Sequence, residues 1–265
     1  MKIAGKVAVV TGAAAGIGRA LALRFHRDGA RIVIVADIDR DGAAAVAREV
    51  DGVAFACDVA NEGDVARVVE ETERRFGPID LYCSNAGIFG AADPPGNVAG
   101  VPDESWQRAW SVNVMGHVHA ARALVPRMVA RGGGNFLLTV SAAGLLSQIG
   151  NAIYSTTKHA ALGFAESLAI AHRDQGIRVF VLCPQGVDTS LLRESGSGPQ
   201  HADGVLAPDA VADSVAAGLA RESFLILPHA RVADYMQRKI ADYDRWIAGM
   251  AKLRRAYATN SKTGD

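Results

Sequence analysis

A tyrosine and a lysine stand four residues apart in the segment NAIYSTTKHAALGFAESLAIAH, where Tyr154 and Lys158 are surrounded by alanine and other apolar residues. If this segment is a helix, positions i and i+4 lie on one face, so both side chains point to the same place. A phenol beside an ammonium group can serve as a general acid and base, because the cation favours the phenolate. A solvated lysine beside a half-buried tyrosine is the alternative that the pair alone leaves open.

A glycine-rich turn, TGAAAGIGRAL, follows the first apolar run and contains Gly12, Gly16 and Gly18. Glycines at a strand-to-helix turn let the backbone approach a pyrophosphate, and the free N–H groups of the new helix favour the anion. The spacing differs from the G-x-G-x-x-G of many dinucleotide folds, and tight packing alone also explains such a turn. Its position between the first strand and the first helix favours cofactor binding.

A carboxylate, Asp37, ends the second apolar run nineteen residues after Gly18. In dinucleotide folds a carboxylate at this place accepts hydrogen bonds from the adenosine ribose hydroxyls. It would also repel a 2′-phosphate by up to roughly 4 kcal/mol per unit charge, at about 4 Å and an effective dielectric of about 20. Arg40 is close to Asp37 in the sequence and, as a cation, is an argument for NADP. We predict NAD as the cofactor, with NADP less favoured.

The elements that position these residues are indicated by an alternation of apolar runs and helical segments. The runs fit strands buried on both faces, and the alternation predicts an α/β fold with a doubly wound parallel sheet of about seven strands and helices on both faces. The strand-like runs begin at Lys6, Arg31, Val53, Ile79, Asn135, Ile177 and Phe224. The helical segments cover residues 16–28, 39–50, 62–76, 103–131, 152–175 and 208–221.

The chain shows no internal boundary, repeat or low-complexity linker, so we predict one domain over residues 1–265. An irregular stretch at 184–207, rich in Gly, Ser and polar residues, is predicted to be a substrate-binding loop. A helical extension at 229–256 is predicted to pack on the core or on a neighbouring subunit, or alternatively to cap the substrate pocket. Its apolar residues at helical spacing are Val232, Tyr235, Met236, Ile240, Trp246, Ile247, Met250 and Leu253.

Bulk properties exclude some classes of partner. Lys plus Arg and Asp plus Glu both total 28, so no global field attracts nucleic acid or anionic membrane. No apolar run approaches the roughly 18 residues of a membrane span, and no signal peptide precedes the first strand. The cysteines Cys57, Cys83 and Cys183 are far apart and beside apolar runs. They indicate buried free thiols in a reducing compartment, and we predict a cytoplasmic protein.

The histidines do not predict a metal site. His117 and His119 are two residues apart on a predicted helix, so their side chains point in different directions. His159, next to Lys158, faces elsewhere on its helix and is predicted to be structural. We therefore predict that no metal is bound.

Further motifs give the chain a specific resemblance. It carries T-G-x-x-x-G-I-G at residues 11–18, Asp-Val at 58–59, Asn-Ala-Gly at 85–87, Asn113, Ser141, and Tyr-x-x-x-Lys from Tyr154. Ser141 lies 13 residues before Tyr154. Over nearly its whole length the chain resembles the short-chain dehydrogenase/reductase superfamily. This resemblance implies a single-domain Rossmann fold, nicotinamide-dependent carbonyl–alcohol chemistry, and a homodimer or homotetramer.

The resemblance also implies catalytic roles. Tyr154 acts as general acid and base, with a pKa lowered by Lys158 together with the positive nicotinamide ring of the oxidised cofactor, and Ser141 holds the substrate oxygen beside it. Lys158 also holds the nicotinamide ribose, and Asn113 keeps a water molecule in a proton relay. Two simpler roles stay open: Ser141 could cap a turn, and Asn113 could be satisfied by backbone groups.

A larger set of residues is implied in cofactor binding, with Asp58 bonding the adenine amine and Val59 covering the ring. The segment CPQGVDT departs from the family pattern, because Gln185 stands where glycine is common. That side chain could contact the substrate or tighten the loop. The implied cofactor-binding residues are Thr11, Gly12, Gly16, Ile17, Gly18, Asp37, Asp58, Val59, Asn85, Ala86, Gly87, Tyr154, Lys158, Pro184, Gly186, Val187 and Thr189.

These observations predict an NAD(H)-dependent oxidoreductase that interconverts a secondary alcohol and a ketone. Mostly apolar pocket walls predict a hydrophobic or alicyclic small-molecule substrate; the wall residues are Leu145, Leu146, Gln148, Ile149, Leu191 and Leu192. One alternative is a regulatory protein that senses the nicotinamide cofactor without turnover, although a sensor needs no proton-transfer pair. Another is a nucleotide-sugar epimerase or dehydratase, for which the chain lacks a sizeable C-terminal substrate domain.

Overall fold

The computed structural model describes residues 1–195 and 198–260, and its centre is a seven-stranded sheet in which all pairs are parallel. The predicted doubly wound α/β fold is confirmed, with the strands in the order β3-β2-β1-β4-β5-β6-β7. The strands are β1 (Val7–Thr11), β2 (Ile32–Asp37), β3 (Val53–Ala56), β4 (Leu81–Ser84), β5 (Gly134–Thr139), β6 (Ile177–Leu182) and β7 (Leu225–Ile226).

Helices cover both faces of this sheet. In the described residues they are α1 (Gly16–Arg27), α2 (Arg40–Glu49), α3 (Glu62–Phe76), α4 (Asp103–Trp110), α5 (Gly116–Ala130), α6 (Ala152–His172), α7 (Ser190–Glu194), α8 (Pro208–Arg221), α9 (Arg231–Ala241) and α10 (Tyr243–Asn260). Alternate residues of each strand enter opposite cores. For example, Val9 packs in the core that holds α3, α5 and α6, whereas Val10 packs with α1, α2 and α8.

The strand order reverses beside β1, which pairs with β2 on one side and β4 on the other. In open parallel sheets, ligands bind at such a switch point, outside the carboxyl ends of the strands. Here side chains join three of those ends. Asn85, just after β4, donates from Nδ2 to the Thr11 carbonyl at 3.0 Å, and its Oδ1 accepts from the Thr139 hydroxyl at 2.9 Å. The Thr11 hydroxyl in turn accepts from the Asn85 N–H at 2.9 Å.

The helix predicted over residues 103–131 is interrupted. A π-helical turn, Ser111–Met115, separates α4 from α5. Asn113 lies in this turn, and its side chain bonds the backbone of Ile88 twice, accepting from the N–H and donating to the carbonyl, each at 2.9 Å. Helical periodicity could not reveal this turn, because a π-turn adds only a single residue within an otherwise helical segment.

The C-terminal extension also differs from the prediction, since it forms two helices rather than one. Asp242 is extended, at φ −154° and ψ 93°, and ends α9. Its carboxylate then accepts from the Arg245 N–H at 2.9 Å, which caps α10. The aspartate therefore starts a new helix where the apolar spacing alone suggested a continuous one. None of the helices in the described ranges has the length and apolar composition of a membrane span.

The predicted loop at 184–207 is partly regular where the structure describes it. It contains α7 and a short 3-10 turn, Pro199–His201. The loop is joined to α9 through the buried Asp203 carboxylate, whose Oδ1 accepts from the Tyr235 hydroxyl at 3.0 Å and pairs with Arg231 at 2.8 Å. The loop and the C-terminal helices are thus packed together.

The network at the strand ends gives a first prediction. Asn85→Ala should lower the free energy of unfolding by about 2 kcal/mol, because it removes hydrogen bonds and leaves polar groups of the buried Thr11 and Thr139 unpaired. Urea denaturation followed by circular dichroism measures the change. Asn97→Ala, in an exposed loop, is the matched control and should shift the value by less than about 0.5 kcal/mol. Equal losses in both variants would contradict the network's importance.

Candidate active site

The carboxyl edge of the sheet opens into a cavity of about 1070 Å³. It extends from Asp37, at the end of β2, and Asp58, after β3, to Ser141, after β5, and Tyr154, in the first turn of α6. Of the site residues expected from the sequence, all but Thr11, Asn113 and Gly186 line this cavity. The fold therefore brings together motifs that are far apart in the chain.

The glycine turn leaves no space for side chains. At Gly18 a Cβ would lie 2.1 Å from the Gly12 carbonyl oxygen, and at Gly12, where φ is +64°, it would lie 2.7 Å from the Ala86 Cα. The N-cap residue of α1, Ala15, offers no side-chain cap, and Ala14, Ala15 and Gly16 line the cavity. Uncapped N–H groups at a helix start in a tight glycine turn suit an anionic group such as a pyrophosphate.

Asp37 is held in one orientation at the end of β2. One carboxylate oxygen accepts from the Ala14 N–H and the other from the Asp39 N–H, both at 2.9 Å. Both donors are neutral, so the carboxylate keeps its charge and remaining lone pairs beside the cavity. Arg40 is exposed at the start of α2 and is not part of the cavity wall.

At the same end of the cavity the structure adds a residue that sequence reasoning missed. The Arg108 guanidinium, on α4, lies 3.5 Å from the Asp58 carboxylate, and both line the cavity. Asp58 also accepts from the Ala60 N–H at 3.0 Å. Because Asp58 and Arg108 are distant in sequence and their contact depends on how α4 packs, no local signal could have paired them.

Tyr154 and Lys158 lie in the first turns of α6, and both are buried, with 7% and 3% of their surface exposed. Asn151 caps this helix by accepting from the Tyr154 N–H at 2.8 Å. The Lys158 ammonium donates to the Thr139 carbonyl at 3.2 Å and lies 5.5 Å from the centre of the Tyr154 ring. The alternative of a solvated lysine is therefore wrong.

Burial governs the protonation of both groups. It raises the pKa of the Tyr154 phenol to about 12, although the hydrogen bond with the Ser141 hydroxyl lowers this pKa in part. Burial also lowers the pKa of the Lys158 ammonium to about 8. The expectation that Lys158 lowers the pKa of Tyr154 is thus not met by the protein groups alone. Desolvation disfavours phenolate and ammonium alike.

Ser141 and Asn113 both make the simpler contacts that the sequence left open. The Ser141 hydroxyl accepts from the Ala143 N–H at 3.1 Å, which caps a turn, but Ser141 also lines the cavity. Asn113 is fully buried, and besides Ile88 it donates to the Thr157 hydroxyl at 3.1 Å. Its side-chain amide is occupied by protein groups, so it holds the wall of the site rather than facing the cavity.

Two further residues, Thr11 and Gly186, contact residues of the cavity wall without lining the cavity themselves. The Thr11 hydroxyl accepts from the N–H groups of Asn85 and Ala86, at 2.9 and 3.2 Å. Gly186 is packed so closely that a Cβ would lie 2.5 Å from the Gln200 carbonyl oxygen.

Gln185, the departure from the family pattern, lines the cavity. Its backbone N–H donates to His229 Nδ1 at 3.1 Å, and its side-chain amide donates to the Pro199 carbonyl at 3.4 Å. The side-chain contact joins two parts of the loop at 184–207, which is the tightening role considered for Gln185, and the backbone contact joins this loop to the segment before α9.

The other end of the cavity has mainly apolar walls. Of the wall residues expected from the sequence, Leu146, Gln148, Leu191 and Leu192 line it, whereas Leu145 and Ile149 do not. The C-terminal helices line the same end, which favours the alternative that this extension caps the pocket. Their contributions include Tyr235, Arg238, Arg245, Trp246, Met250 and Leu253. The apolar spacing indicated the tyrosine, tryptophan, methionine and leucine, but gave no signal for the arginines.

The histidines of the helices have protein partners. His117 Nδ1 lies 2.7 Å from the Ser84 hydroxyl, His119 Nδ1 3.0 Å from the Val59 carbonyl, and His159 Nδ1 2.8 Å from the Ser155 carbonyl. The described part of the chain brings no three His, Cys, Asp or Glu side chains together as metal ligands. Its three cysteines, Cys57, Cys83 and Cys183, are buried and unpaired.

Comparison with known sequences points to one family. A family profile described as short chain dehydrogenase matches residues 6–200. The 1-deoxy-11-beta-hydroxypentalenate dehydrogenase of Streptomyces avermitilis is 35% identical over 256 residues, covering 94% of this chain and 93% of the relative. Epidermal retinol dehydrogenase 2 of Homo sapiens is 30% identical over 236 residues, covering 85% of this chain and 75% of the relative.

Solved structures give the same picture. A short chain dehydrogenase/reductase from Burkholderia phymatum in complex with NAD matches with a TM-score of 0.82 and 27% identity, over 92% of this chain and 96% of that one. A 7α-hydroxysteroid dehydrogenase complexed with NADH and 7-oxo glycochenodeoxycholic acid matches with a TM-score of 0.77 and 28% identity, over 85% and 93% of the two chains.

The protonation of Tyr154 gives a second prediction. With a pKa raised to about 12, the phenol should stay protonated as the pH rises from about 7 to about 10.5 when no cofactor is added. The difference between the phenolate absorbance of the wild type and that of Tyr154→Phe, titrated over this range, should stay flat. A phenolate signal that depends on Tyr154 and appears below about pH 9 would contradict the dominance of burial.

Proposed function

The chain belongs to the short-chain dehydrogenase/reductase family, and from this membership we propose that it interconverts a secondary alcohol and a ketone with NAD(H). It is an oxidoreductase acting on CH–OH groups of small molecules. The observation that carries the finer proposal is the buried Tyr154–Lys158 pair, which shares one cavity with Ser141 and the glycine turn. Proton-transfer groups and an anion-binding turn lie along a single continuous wall.

The residues present fit a nicotinamide dinucleotide. The uncapped start of α1 and the closely packed Gly12 and Gly18 would hold the pyrophosphate, and Asp37 would accept from the ribose hydroxyls. Asp58 and Val59 would hold the adenine. The cofactor, when bound, supplies the carbon that accepts or returns a hydride. We also assign to its site the other cavity residues of the sequence motifs, with Thr11 and Gly186 supporting them from behind.

Proton transfer is assigned to the chain's own groups. Tyr154 would take the hydroxyl proton during alcohol oxidation and return it during ketone reduction. Ser141 would hold the substrate oxygen beside the phenol. Lys158, held by the Thr139 carbonyl, would stabilise the phenolate and hold the nicotinamide ribose. Asn113 is proposed as a positioning residue, because its bonds to Ile88 and Thr157 fix the backbone beside Tyr154 and Lys158.

Several observations favour NAD over NADP and an apolar substrate. The Asp37 carboxylate is fixed beside the cavity by two backbone N–H groups, and Arg40 is not in the wall. Structural relatives are described with NAD and NADH. Relatives are named for a hydroxypentalenate and a retinol, and one structure holds 7-oxo glycochenodeoxycholic acid. Together with the apolar walls, these names support a hydrophobic, ring-containing substrate.

We further propose a homo-oligomer in the cytoplasm. Ile170 on α6 is 81% exposed and Trp110 on α4 is 43% exposed, which supports association through helices. The three buried free thiols suit a reducing compartment. The sensor alternative is disfavoured, because a protein that only binds the cofactor has no need of an acid–base group such as the Tyr154 phenol beside Ser141.

The assigned acid–base role gives a third prediction. Tyr154→Phe should lower kcat for NADH formation from a secondary alcohol by about 100-fold or more, the usual contribution of general acid–base catalysis. NADH affinity, measured by fluorescence titration, should change far less than kcat, because the glycine turn and Asp37 still hold the cofactor when the hydroxyl is lost. Tyr243→Phe, outside the cavity wall on α10, is the matched control. Unchanged kcat in Tyr154→Phe would exclude this tyrosine as the acid–base group.

Cofactor choice gives a fourth prediction. Asp37→Ser should shift the ratio of Kd values toward NADP by about tenfold or more, because it removes roughly 2 kcal/mol of repulsion from a 2′-phosphate. Isothermal titration calorimetry with NAD and NADP measures the ratio. Asp41→Ser, exposed on α2 and outside the cavity wall, should leave the ratio near the wild-type value. A wild type that binds NADP more tightly than NAD would refute the assignment.

A further inference from the structure

The C-terminal helices form one wall of the cavity at its substrate end. α9 contributes Tyr235 and Arg238 to this wall, and α10 contributes Arg245, Trp246 and Met250. The helices are tied to the reactive segment by the buried Lys239. Its ammonium donates to the carbonyls of Leu145 and Leu146, both at 2.9 Å. Since these leucines come shortly after Ser141 in the chain, the wall stands beside the reacting groups.

Arg238 and Arg245 differ from Arg108, which also lines the cavity, and from Arg231 on α9. Neither forms an ion pair with any carboxylate of the described residues, and the Arg238 guanidinium lies 5.8 Å from the centre of the Tyr235 ring. By contrast, Arg231 on the same helix is paired with the buried Asp203 at 2.8 Å, and Arg108 in the same cavity is 3.5 Å from Asp58. Two uncompensated guanidinium groups therefore border the substrate end.

The carboxylates of the cavity do not neutralise them. Asp37, Asp39 and Asp58 lie at the opposite end, beside β2 and β3. Asp242 is the one carboxylate that the described C-terminal helices add to the wall; it caps α10 through the Arg245 N–H and forms no ion pair with either arginine, so its single charge offsets only one of the two guanidinium charges. The substrate end therefore carries a net positive charge beside its apolar side chains.

From this arrangement we propose that the substrate is an apolar, ring-containing alcohol or ketone that carries a carboxylate, bound by Arg238 and Arg245. The skeleton lies against Leu146, Trp246 and Met250, and the carbinol or carbonyl group reaches Tyr154. A guanidinium binds a carboxylate through two parallel N–H bonds, so these groups select an acid and fix its orientation. The proposal rests on the proposed function, because it names the substrate class of the same site.

The test compares each acid with its own neutral ester. The probes are three hydroxylated alicyclic carboxylic acids of increasing size, built on cyclohexane, decalin and a steroid nucleus, each beside its methyl ester. Binding to the protein–NADH complex is measured by calorimetry, and oxidation with NAD is measured in parallel. The variants are Arg238→Gln, Arg245→Gln and their combination. Arg254→Gln, on α10 but outside the cavity wall, is the matched control.

We expect the wild type to bind at least one acid about tenfold more tightly than its ester, which corresponds to about 1.4 kcal/mol. The preference should fall with added salt, because the arginines are exposed to solvent. It should fall to about twofold or less in the double variant and persist in Arg254→Gln. NADH affinity should stay unchanged throughout, which separates this role from cofactor binding.

Two outcomes would overturn the proposal: no acid preferred to its ester by the wild type, or a preference that survives in the double variant. These outcomes are separate from failure of the proposed function. Preferential binding of acids without any NAD-dependent turnover would keep the carboxylate site and count against the dehydrogenase. Equal oxidation of ester and acid, together with loss of activity in Tyr154→Phe, would support the dehydrogenase and rule out the carboxylate site.

Discussion

The site depends on the hydrogen bonds that tie together the carboxyl ends of β1, β4 and β5. The Asn85 side chain donates to the Thr11 carbonyl and accepts from the Thr139 hydroxyl, and the Asn85 N–H donates to the Thr11 hydroxyl. Parallel strands end at one edge, but hydrogen bonds of the sheet alone do not fix the loops beyond that edge. This network fixes the chain at Gly12 and Ala86, and Thr139 then presents the carbonyl that holds Lys158. The glycine turn and the reactive pair are thus parts of one scaffold.

On this scaffold, burial acts on both reactive groups in the same direction. It raises the pKa of Tyr154 to about 12 and lowers the pKa of Lys158 to about 8, so burial shifts each group toward its neutral form. The phenol is therefore held as a proton donor at neutral pH, while Lys158 still keeps most of its charge. When Tyr154 loses its proton, the phenolate needs positive charge nearby. The Lys158 ammonium, 5.5 Å from the centre of the Tyr154 ring, supplies part of that charge.

Much of this architecture could be predicted from the sequence, because its signals are local. Continuous apolar runs predicted the seven strands, and the glycine spacing and Asp37 predicted residues that the structure places in one cavity. Three features could not be predicted. The π-helical turn at Asn113 depends on a contact with Ile88, the break at Asp242 on a capping bond within an apolar pattern, and the positions of Arg238 and Arg245 on how α9 packs through Lys239. All three arise from side-chain contacts that periodicity does not record.

The central claim is that the cavity binds the cofactor at the carboxyl ends of β1, β4 and β5, with its nicotinamide beside Tyr154. A crystal structure of the protein grown with NAD tests this most directly. The account predicts the pyrophosphate at Gly12–Gly18, the ribose hydroxyls of adenosine on the Asp37 carboxylate, and the nicotinamide beside Ser141 and Tyr154. A cofactor bound elsewhere, or in this cavity with its nicotinamide end away from Tyr154, would contradict it.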